Sequence, residues 1–283
     1  MHAEPLMDEV ALGPSAEERT AADFDAAVLR HRQVSQDYWH VVLKTPSNLA
    51  PAVPGQFYQL KCPQRGADYP YFRRPMSFYR ADSASGQLEF LYKVTGAGTR
   101  GLASLVPGQT LRLLGPLGVG FTIPDHARNI VVLGRGVGLA TLAPLSELAA
   151  ARKVGVTAIL SARNSESVIS KERFSEFANT VEVVLDSNGS SSVENVERMI
   201  HDLHSRGLAD AFYTCGSNRL MLLLQKMSHQ LGVPGEVALE EQMACGIGMC
   251  FCCVRTFQLP NKIVSRRVCW DGPVFKLSEA MSW

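Results

Sequence analysis

Short stretches in which apolar and polar residues alternate, separated by turn residues, occupy the first part of the chain. Such β-prone stretches are Ala26–Leu29, Trp39–Lys44, Phe57–Lys61, Leu88–Val94 and Thr110–Leu114. Turns containing Pro-Gly precede two of them, at Val53–Gln56 and Val106–Gln109. Evenly spaced short strands of this kind predict an antiparallel β-barrel, which we place at residues 24–122.

The pattern changes near Asp125, where continuous apolar runs begin to alternate with stretches of helical periodicity. The predicted strands are Asn129–Leu133, Val156–Ser161, Val181–Leu185, Ala211–Cys215 and Val237–Glu240. The predicted helices between them are Leu139–Lys153, Val193–Ser205 and Asn218–Leu231. Strands that alternate with helices indicate a parallel sheet, so we predict an α/β domain at residues 123–240.

The two ends of the chain carry little regular pattern. Residues 1–23 are rich in Ala, Glu and Asp, which excludes a signal peptide and predicts a disordered tail. Residues 241–283 form a last segment that holds five of the seven cysteines. We therefore expect any cysteine chemistry to lie after the α/β domain.

The composition limits the classes of function. The chain has 283 residues, 46% hydrophobic and 19% charged, which fits about two well-packed domains. Its formal net charge of +1 predicts no bulk attraction to nucleic acid or to an anionic membrane. No apolar run reaches the roughly 18 residues that a membrane span requires. Because Cys62 and Cys215 have no evident pairing partner, we expect a reducing compartment, the cytoplasm.

Four cysteines near the C-terminus have the spacing of an iron–sulfur site. Cys245, Cys250 and Cys253 form a C-x4-C-x2-C series, and Cys269 follows after fifteen residues. Plant-type [2Fe–2S] centres use this spacing, because a tight loop must bring three thiolates around one cluster. Two glycines in the loop permit the left-handed turns that direct backbone N–H groups at sulfur. The spacing therefore predicts a one-electron carrier.

Other interpretations of these cysteines remain open from spacing alone. Zinc sites usually contain paired C-x2-C ligands, but Cys250–Cys253 has no second pair, and His229 is the nearest histidine. A disulfide would need an oxidising compartment, and buried or redox-active thiols are a further interpretation. Cys252 would also fit a C-x4-C-C series; we favour Cys253 as the ligand and expect Cys252 to be a small packing residue.

The barrel half contains three motifs that suit a flavin. The first is Arg73–Ser77. Arg74 is a cation that could bind the flavin pyrophosphate, and Ser77, three residues later, has a hydroxyl that could lie near the reactive edge of the flavin ring. Gly96–Thr99 follows a strand and can form a backbone nest for phosphate, and Gly115–Phe121 fits a domain junction. Ordinary interpretations also stand: a solvated arginine pair, a hairpin turn, and glycine and proline as punctuation.

The α/β half contains a glycine-rich turn between its first strand and its first helix. Gly134, Gly136 and Gly138 in that turn would let the N–H groups of a helix N-terminus bind a pyrophosphate. Thr214–Ser217 ends a later strand, where open α/β sheets place their ligands. Tight turns also use glycine without any ligand, and Cys215 equally fits a buried packing residue.

Taken in order, these motifs resemble those of the ferredoxin–NADP reductase superfamily. Within it, the cysteine loop and the segment Cys269–Phe275 most resemble the electron-transfer subunits of class B dihydroorotate dehydrogenases. The resemblance covers about residues 24–278. It implies an α/β plus all-β chain with an antiparallel β-barrel FAD domain, a Rossmann-like parallel α/β NAD domain and a small C-terminal [2Fe–2S] loop segment.

The resemblance also implies roles for individual residues. The residues that would hold the flavin are Arg74, Pro75, Met76, Ser77, Tyr92, Val94, Gly98 and Thr99. Those that would hold the nicotinamide dinucleotide are Gly134, Gly136 and Gly138, with Ser77 and Cys215 catalytic at the contact between the two cofactors. The cluster ligands would be Cys245, Cys250, Cys253 and Cys269.

The chain departs from the family pattern at the dinucleotide end. Arg135 replaces a usual glycine, where it could pair with a phosphate or crowd it, and Thr141 replaces a usual proline. The loop Asp186–Gly189 lacks a glycine-rich continuation. Arg163 follows the second strand of the α/β half, where an arginine could meet the 2′-phosphate of NADP. The resemblance favours NAD, and the departures suggest a partner other than a dihydroorotate-oxidising enzyme.

A nicotinamide delivers two electrons as a hydride, a cluster accepts one, and a flavin between them can hold one or two. We therefore predict an NAD(P)H-linked oxidoreductase subunit that shuttles electrons between NAD(H), FAD, a [2Fe–2S] cluster and a flavin-containing partner oxidoreductase. This dihydroorotate dehydrogenase-like subunit would form a hetero-oligomer. Two alternatives remain: an NADH-dependent reductase component of an oxygenase or other redox system, and a redox-sensing binding module.

Overall fold

Seven antiparallel strands build the first sheet of the computed structural model, which describes residues 20–46 and 52–282. They are β1 (Ala22–Gln33), β2 (Tyr38–Lys44), β3 (Phe57–Lys61), β4 (Arg74–Ser77), β5 (Arg80–Asp82), β6 (Gln87–Lys93) and β7 (Thr110–Leu117). The short helix α1 (Ala97–Leu102) lies between β6 and β7. The strand order is β4-β3-β7-β1-β2-β6-β5. Because β4 also contacts β6, the sheet curls into a half-open barrel.

The alternation of side chains along β3 gives the barrel an inside and an outside. Tyr58 and Leu60 face the barrel core, where they pack with Phe90 of β6. Phe57 packs instead into a second core, which is shared with the α/β unit and the cysteine segment. Because successive side chains of a strand point to opposite faces, Gln59 lies on the same outward face as Phe57.

The α/β unit of the described chain contains five parallel strands and four helices. The strands are β8 (Asn129–Arg135), β9 (Gly155–Ala162), β10 (Thr180–Leu185), β11 (Ala211–Cys215) and β12 (Gly235–Ala238). The helices are α2 (Gly138–Ala151), α3 (Lys171–Phe177), α4 (Val193–Ser205) and α5 (Asn218–Leu231). The strand order is β10-β9-β8-β11-β12, so the chain first grows the sheet on one side of β8 and then on the other. The carboxyl ends of β8 and β11 therefore form a topological switch point, where such sheets bind ligands.

The last segment is more regular than its sequence pattern suggests. β13 (Val254–Gln258) and β14 (Ile263–Arg267) form a hairpin, followed by α6 (Val268–Asp271) and β15 (Val274–Lys276). β15 pairs antiparallel with β12 and extends the α/β sheet by one strand. The cysteine segment is thus attached to the α/β sheet as well as packed on the outward face of β3.

The predicted fold class is confirmed by this arrangement of an antiparallel barrel sheet, a parallel α/β sheet and a C-terminal cysteine segment. Among the elements, α4, β11 and α5 have their predicted bounds, whereas the last predicted strand is shifted: β12 ends at Ala238. The sequence patterns did not indicate β4, β5, α1 or α3, each of which spans seven residues or fewer.

The predicted domain boundaries at residues 122–123 and 240–241 stay predictions. Most of the predicted tail, residues 1–19, lies outside the described residues, and β1 begins at Ala22. No helix in residues 20–46 or 52–282 is both long enough and apolar enough to cross a membrane.

Candidate functional site

A cleft of about 480 Å³ lies between the barrel and the α/β unit. The barrel lines it with Arg74, Pro75, Met76, Ser77, Tyr92, Thr95 and Thr99. The α/β unit lines it with Val137, Ala140, Thr141, Leu239, Glu240 and Glu241. Residues predicted to hold a flavin therefore face residues from the ligand-binding edge of the parallel sheet, and the volume is that of an ordinary cofactor site.

Arg74 forms one end of the cleft because Gly98 leaves room for it. A Cβ built on Gly98 would come within 2.7 Å of the Arg74 Nε atom, so the guanidinium lies directly over the first turn of α1. Arg74 Nη1 donates to the Phe72 carbonyl oxygen at 2.6 Å, which fixes the side chain. A planar guanidinium held against a glycine turn fits the pyrophosphate of FAD, to which it can donate two hydrogen bonds.

Thr99 shapes this turn, and its hydroxyl is already engaged. Its Oγ1 accepts hydrogen bonds from the backbone N–H groups of Thr95 at 2.8 Å and Gly96 at 3.1 Å. The same hydroxyl donates to the Gly96 carbonyl oxygen at 3.1 Å. Thr99 therefore holds the conformation of the turn on which a phosphate would rest.

Tyr92 lines the cleft and is anchored from behind by His31. The Tyr92 hydroxyl lies 2.8 Å from His31 Nε2, and His31 Nδ1 lies 2.7 Å from the Leu105 carbonyl oxygen. A carbonyl can only accept, so Nδ1 of the neutral imidazole carries the proton and Nε2 accepts from the tyrosine. Val94, by contrast, packs against the barrel core, and the cleft-lining residues of the described chain do not include it.

The turn between β8 and α2 touches the turn after β11. A Cβ on Gly138 would lie 2.4 Å from the Cys215 carbonyl oxygen, and a Cβ on Gly136 would lie 3.2 Å from the Tyr38 hydroxyl. Gly216 has φ +89°, and a Cβ there would lie 2.2 Å from the Arg135 carbonyl oxygen. The structure thus brings the predicted glycines and Cys215 together at the switch point; Gly134 packs beneath them under α2.

Cys215 is fully buried beside Glu240 at the floor of this crossing. The Cys215 Sγ atom lies 3.9 Å from Glu240 Oε1. Burial raises the pKa of the Cys215 thiol, and the neighbouring Glu240 carboxylate raises it further, while the Thr141 hydroxyl acts in the opposite direction. Desolvation also raises the pKa of Glu240, whose side chain lines the cleft. Cys215 is therefore a neutral thiol at neutral pH and not suited to nucleophilic attack, and the cleft-lining residues of the described chain do not include it.

Arg135 is turned away from the α2 N-terminus and paired. Its guanidinium donates to both carboxylate oxygens of Asp186, at 3.1 and 2.6 Å, and to Ser161 Oγ at 2.9 Å. Arg135 first, and then the Ser191 hydroxyl, lower the pKa of Asp186 to about 2. Arg219 adds a second cation, 3.8 Å from the same carboxylate. Arg135 therefore ties β8 to the end of β10 in the described structure.

The four predicted cluster ligands approach one another as two pairs. Cys245 neighbours Cys250, and Cys253 neighbours Cys269. Four N–H contacts reach the sulfurs: Ile247 and Cys250 to Cys245 Sγ at 3.5 Å, Cys269 to Cys253 Sγ at 3.3 Å, and Gly248 to Cys269 Sγ at 3.2 Å. No three His, Cys, Asp or Glu side chains of the described chain are close enough together to hold one metal ion. Paired thiols suit a binuclear cluster, in which each iron takes two, better than a single tetrahedral zinc ion.

The surroundings favour the thiolate, the form that binds metal, at Cys245 and Cys253. Burial raises the pKa of Cys245, but N–H groups of Cys250 and Ile247 lower it, and the net value is about 7. The pKa of Cys253 falls to about 6, chiefly through its hydrogen bond with the Cys269 thiol, whose own pKa is raised by the same contact. Cys252 is exposed and directed to the Gln242 carbonyl oxygen at 3.5 Å. The four paired thiols with their N–H donors fit a [2Fe–2S] cluster.

The cleft and the cysteine segment share a wall. Phe57 and Met243 both line the cleft. Both also belong to the core that contains Cys253 and Cys269, and Met243 precedes Cys245 by two residues. The predicted flavin site and cluster site are therefore adjacent parts of one structure.

Glu240 and Tyr38 are among the residues of the cleft region that sequence reasoning missed. Glu240 follows the end of β12, and its position at the carboxyl edge of a parallel strand is a signal that could have identified it. Tyr38 lies on the barrel strand β2 and meets Gly136 of the α/β unit. No local sequence signal indicates a contact between residues so far apart in the chain.

Two family models match the chain. Residues 25–121 match the model described as oxidoreductase FAD-binding domain. Residues 240–280 match the model described as iron–sulfur cluster binding domain of dihydroorotate dehydrogenase B. The first match covers the barrel, and the second covers the four paired cysteines, so the donor sets described above coincide with two known cofactor-binding families.

Solved structures share the fold. One, described as an NADH-dependent reduced ferredoxin–NADP oxidoreductase studied for flavin-based electron bifurcation, superposes with a TM-score of 0.74 at 26% identity, covering 90% of this chain and 88% of that one. Another, a ferredoxin reductase in carbazole 1,9a-dioxygenase, has a TM-score of 0.58 at 21% identity, covering 76% of this chain and 67% of that one.

Curated relatives match over nearly their whole length. The electron transfer subunit of dihydroorotate dehydrogenase B (NAD(+)) from Desulforamulus reducens is 33% identical over 253 residues, covering 89% of this chain and 95% of the relative. The corresponding subunit from a Geobacillus species is 33% identical over 258 residues, covering 90% and 96%. Because these relatives match along nearly the whole chain, including the cysteine segment, the chain belongs to the family of dihydroorotate dehydrogenase B electron transfer subunits.

Proposed function

We propose that this chain is the electron-transfer subunit of a dihydroorotate dehydrogenase-like enzyme, working between NAD(H), FAD, one [2Fe–2S] cluster and a flavin-containing catalytic partner. The observation that carries the proposal is the shared wall, in which Phe57 and Met243 line the cleft and belong to the same core as Cys253 and Cys269. When bound, the flavin supplies the exchange between the two electrons of a hydride and the single electrons of a cluster.

At the flavin end, residues of the barrel bind and orient. Arg74, cradled over Gly98, neutralises the pyrophosphate, and Thr99 holds the turn beneath it. Ser77 offers its hydroxyl to the reactive edge of the ring from the cleft wall. Pro75, Met76 and Tyr92 supply the mostly apolar surface on which a flat ring can lie.

At the nicotinamide end, residues of the switch point receive the dinucleotide. Because Gly136 and Gly138 have no side chain, the pyrophosphate can approach the backbone of this turn closely. Glu240 presents its carboxyl group to the cleft, and the buried, neutral Cys215 thiol packs 3.9 Å behind it. We propose NAD as the natural dinucleotide, because the similar electron transfer subunits are named for NAD(+). Arg163 is exposed after the end of β9, where it could meet a 2′-phosphate, so a comparison with NADP is the check.

The cysteine loop also presents a surface for the partner. Ile247, Met249 and Phe251 are 40%, 74% and 60% exposed. Large apolar side chains exposed together around a metal centre are the kind of patch that a partner protein covers. We propose that the catalytic subunit docks there, which would bring it against the cluster.

We also propose the three-part division at residues 24–122, 123–240 and 241–283, and the cytoplasm as compartment. The division is supported by the separate sheets of the first two parts. The compartment is supported by the cysteines, because none of the seven forms a disulfide bond in the described structure.

The test is reconstitution of the loaded chain with the dihydroorotate dehydrogenase catalytic subunit of the same source. We expect NAD+ to be reduced on addition of dihydroorotate only when both subunits are present, with NADH absorbance as the readout. A stable, fully loaded complex that forms no NADH would contradict the proposal. Turnover of NADH with an oxygenase-type acceptor but not with dihydroorotate would favour the reductase function, and redox-dependent partner binding without turnover would favour the sensor.

A further inference from the structure

One buried amide has no partner for either of its polar atoms. Gln59 of β3 is fully buried, and among the described residues neither Nε2 nor Oε1 has a hydrogen-bond partner. It is the one side chain of the described chain in which two such atoms are left unsatisfied. Leaving a buried polar group unpaired costs about 1–3 kcal/mol, so the position points to a partner that the polypeptide alone does not supply.

The surroundings of Gln59 identify where that partner lies. The residue shares the outward face of β3 with Phe57, and this face is covered by the cysteine segment. A Cβ built on Gly246 would lie 2.7 Å from both Cγ and Nε2 of Gln59. The amide therefore lies directly against the residue that follows the first predicted ligand, Cys245.

Sulfur atoms are the acceptors that this position lacks. The Cys245 sulfur already receives backbone N–H contacts from Ile247 and Cys250. A cluster held there brings further sulfur atoms, which accept hydrogen bonds and donate none. The orientation of a glutamine amide is assigned from its hydrogen-bond partners. Beside a sulfur atom, which accepts hydrogen bonds, the NH2 group is the part of the amide that can form one.

We propose that the Gln59 side-chain amide donates a hydrogen bond to a sulfur of the [2Fe–2S] site at the Cys245 end and so sets the reduction potential of the cluster. The inference rests on the proposed function, since it requires a bound cluster. Reduction adds one negative charge to the cluster and its sulfurs, so a donor bond strengthens on reduction and favours the reduced form. Gln59 thus acts on the cluster as a positioning and tuning residue.

The first experiment replaces Gln59 with methionine in the loaded chain, because methionine has similar length but no N–H group. We expect unchanged FAD, iron and sulfide content and a more negative cluster potential in an EPR-monitored redox titration. The expected change in the oxidised-to-reduced ratio at fixed potential is about tenfold, equivalent to about 59 mV for a one-electron couple. An unchanged potential in a fully loaded Gln59→Met protein would overturn the proposal.

The matched control is Gln225→Met. Gln225 also donates with its side-chain amide, to the carbonyl oxygens of Leu277 and Ala280 at 2.9 Å each, but it lies on α5. We expect this variant to leave the cluster potential unchanged. An equal shift in both variants would show a general effect of losing a glutamine side-chain amide and would overturn the assignment.

A second readout needs no variant to fold. Wild-type protein is loaded after labelling glutamine side-chain amides with nitrogen-15, and pulsed EPR of the reduced cluster is recorded. We expect hyperfine coupling to one labelled amide; its absence would overturn the proposal even if Gln59→Met fails to hold a cluster. A preparation without iron and sulfide would instead contradict the proposed function, so the two failures are distinguishable.

Discussion

Two glycines of the cleft are each required for a close approach, but what a side chain would meet there differs. At Gly98 an added Cβ meets the movable side chain of Arg74, whereas at Gly138 it meets the backbone carbonyl of Cys215. A side chain can shift at little cost, while two packed turns cannot. The same small substitution should therefore affect cofactor binding at one position and folding at the other.

We expect Gly98→Ala to lower FAD retention several-fold with little change in unfolding free energy, because Arg74 must leave its cradle. Gly138→Ala should lower the unfolding free energy by about 1–3 kcal/mol, as overpacking does, and weaken reduction of the flavin by NADH. Urea unfolding and bound-FAD content measure both effects. Equal losses of stability in the two variants would contradict this account of the cleft.

The adjacent residues Cys252 and Cys253 allow a test of which cysteine ligates the cluster. Cys253 is buried beside Cys269, whereas Cys252 is exposed and directed at Gln242. We expect Cys253→Ser to lose most of its iron and sulfide while retaining FAD, and Cys252→Ser to keep all three. Iron, sulfide and flavin analysis of the purified variants decides, and loss of the cluster from Cys252→Ser would reassign the ligand.

Single elements of the fold are coupled by ion pairs at the dinucleotide edge. Arg135 at the end of β8 donates two hydrogen bonds to Asp186, which follows the end of β10. Because the pair lowers the pKa of Asp186 to about 2 from the usual 3.8, it stabilises the fold above pH 4 or so. That contribution is lost as the pH falls through the folded value near 2.

We expect Asp186→Asn to reduce the unfolding free energy at pH 7 and to flatten its dependence on pH between about 4 and 2. Since the Asp186 side chain is 40% exposed, solvent screening limits the effect to at most about 1 kcal/mol. The control is Glu182→Gln, which removes the same charge from an exposed position of β10, the strand that Asp186 follows. Identical pH profiles for the two variants would contradict a specific role for the pair.

Elements with long, strong periodicity were the ones that sequence patterns could locate. α4 and α5 each span at least 13 residues with apolar side chains on one face, and both have their predicted bounds. β4 could not be foreseen, because its four residues are all half-buried and show no alternation. The paired cysteines and the glycine turns could be identified locally, whereas the contacts Gln59–Gly246 and Tyr38–Gly136 depend on how the sheets pack.

The whole molecule has two separate surfaces through which electrons can enter or leave. The cleft opens between the barrel and the α/β unit. Met249 and Phe251 of the cysteine segment are exposed outside the cleft. The segment between them is anchored twice, by β15 in the α/β sheet and by its packing on β3. Electrons entering at one surface can therefore leave at another without a moving part.

Partner binding should depend on the exposed apolar residues of the loop. We expect Phe251→Ser combined with Met249→Ser to weaken association with the catalytic subunit at least tenfold, with cluster and FAD content unchanged. Val106→Ser, which alters a 54% exposed apolar residue in the loop before β7, is the control. Titration calorimetry measures the affinities, and wild-type affinity in the double variant would place the interface elsewhere.

We expect this one chain to pass electrons between a nicotinamide and its cluster through a flavin. The most direct measurement is anaerobic mixing of the isolated, loaded chain with NADH, followed by visible and EPR spectroscopy. We predict that the flavin absorbance bleaches and that a reduced [2Fe–2S] signal then grows towards one spin per chain, without any added partner. This electron path would be contradicted by a protein that binds no iron or sulfide, or by a fully loaded protein in which NADH reduces the flavin while the cluster stays oxidised.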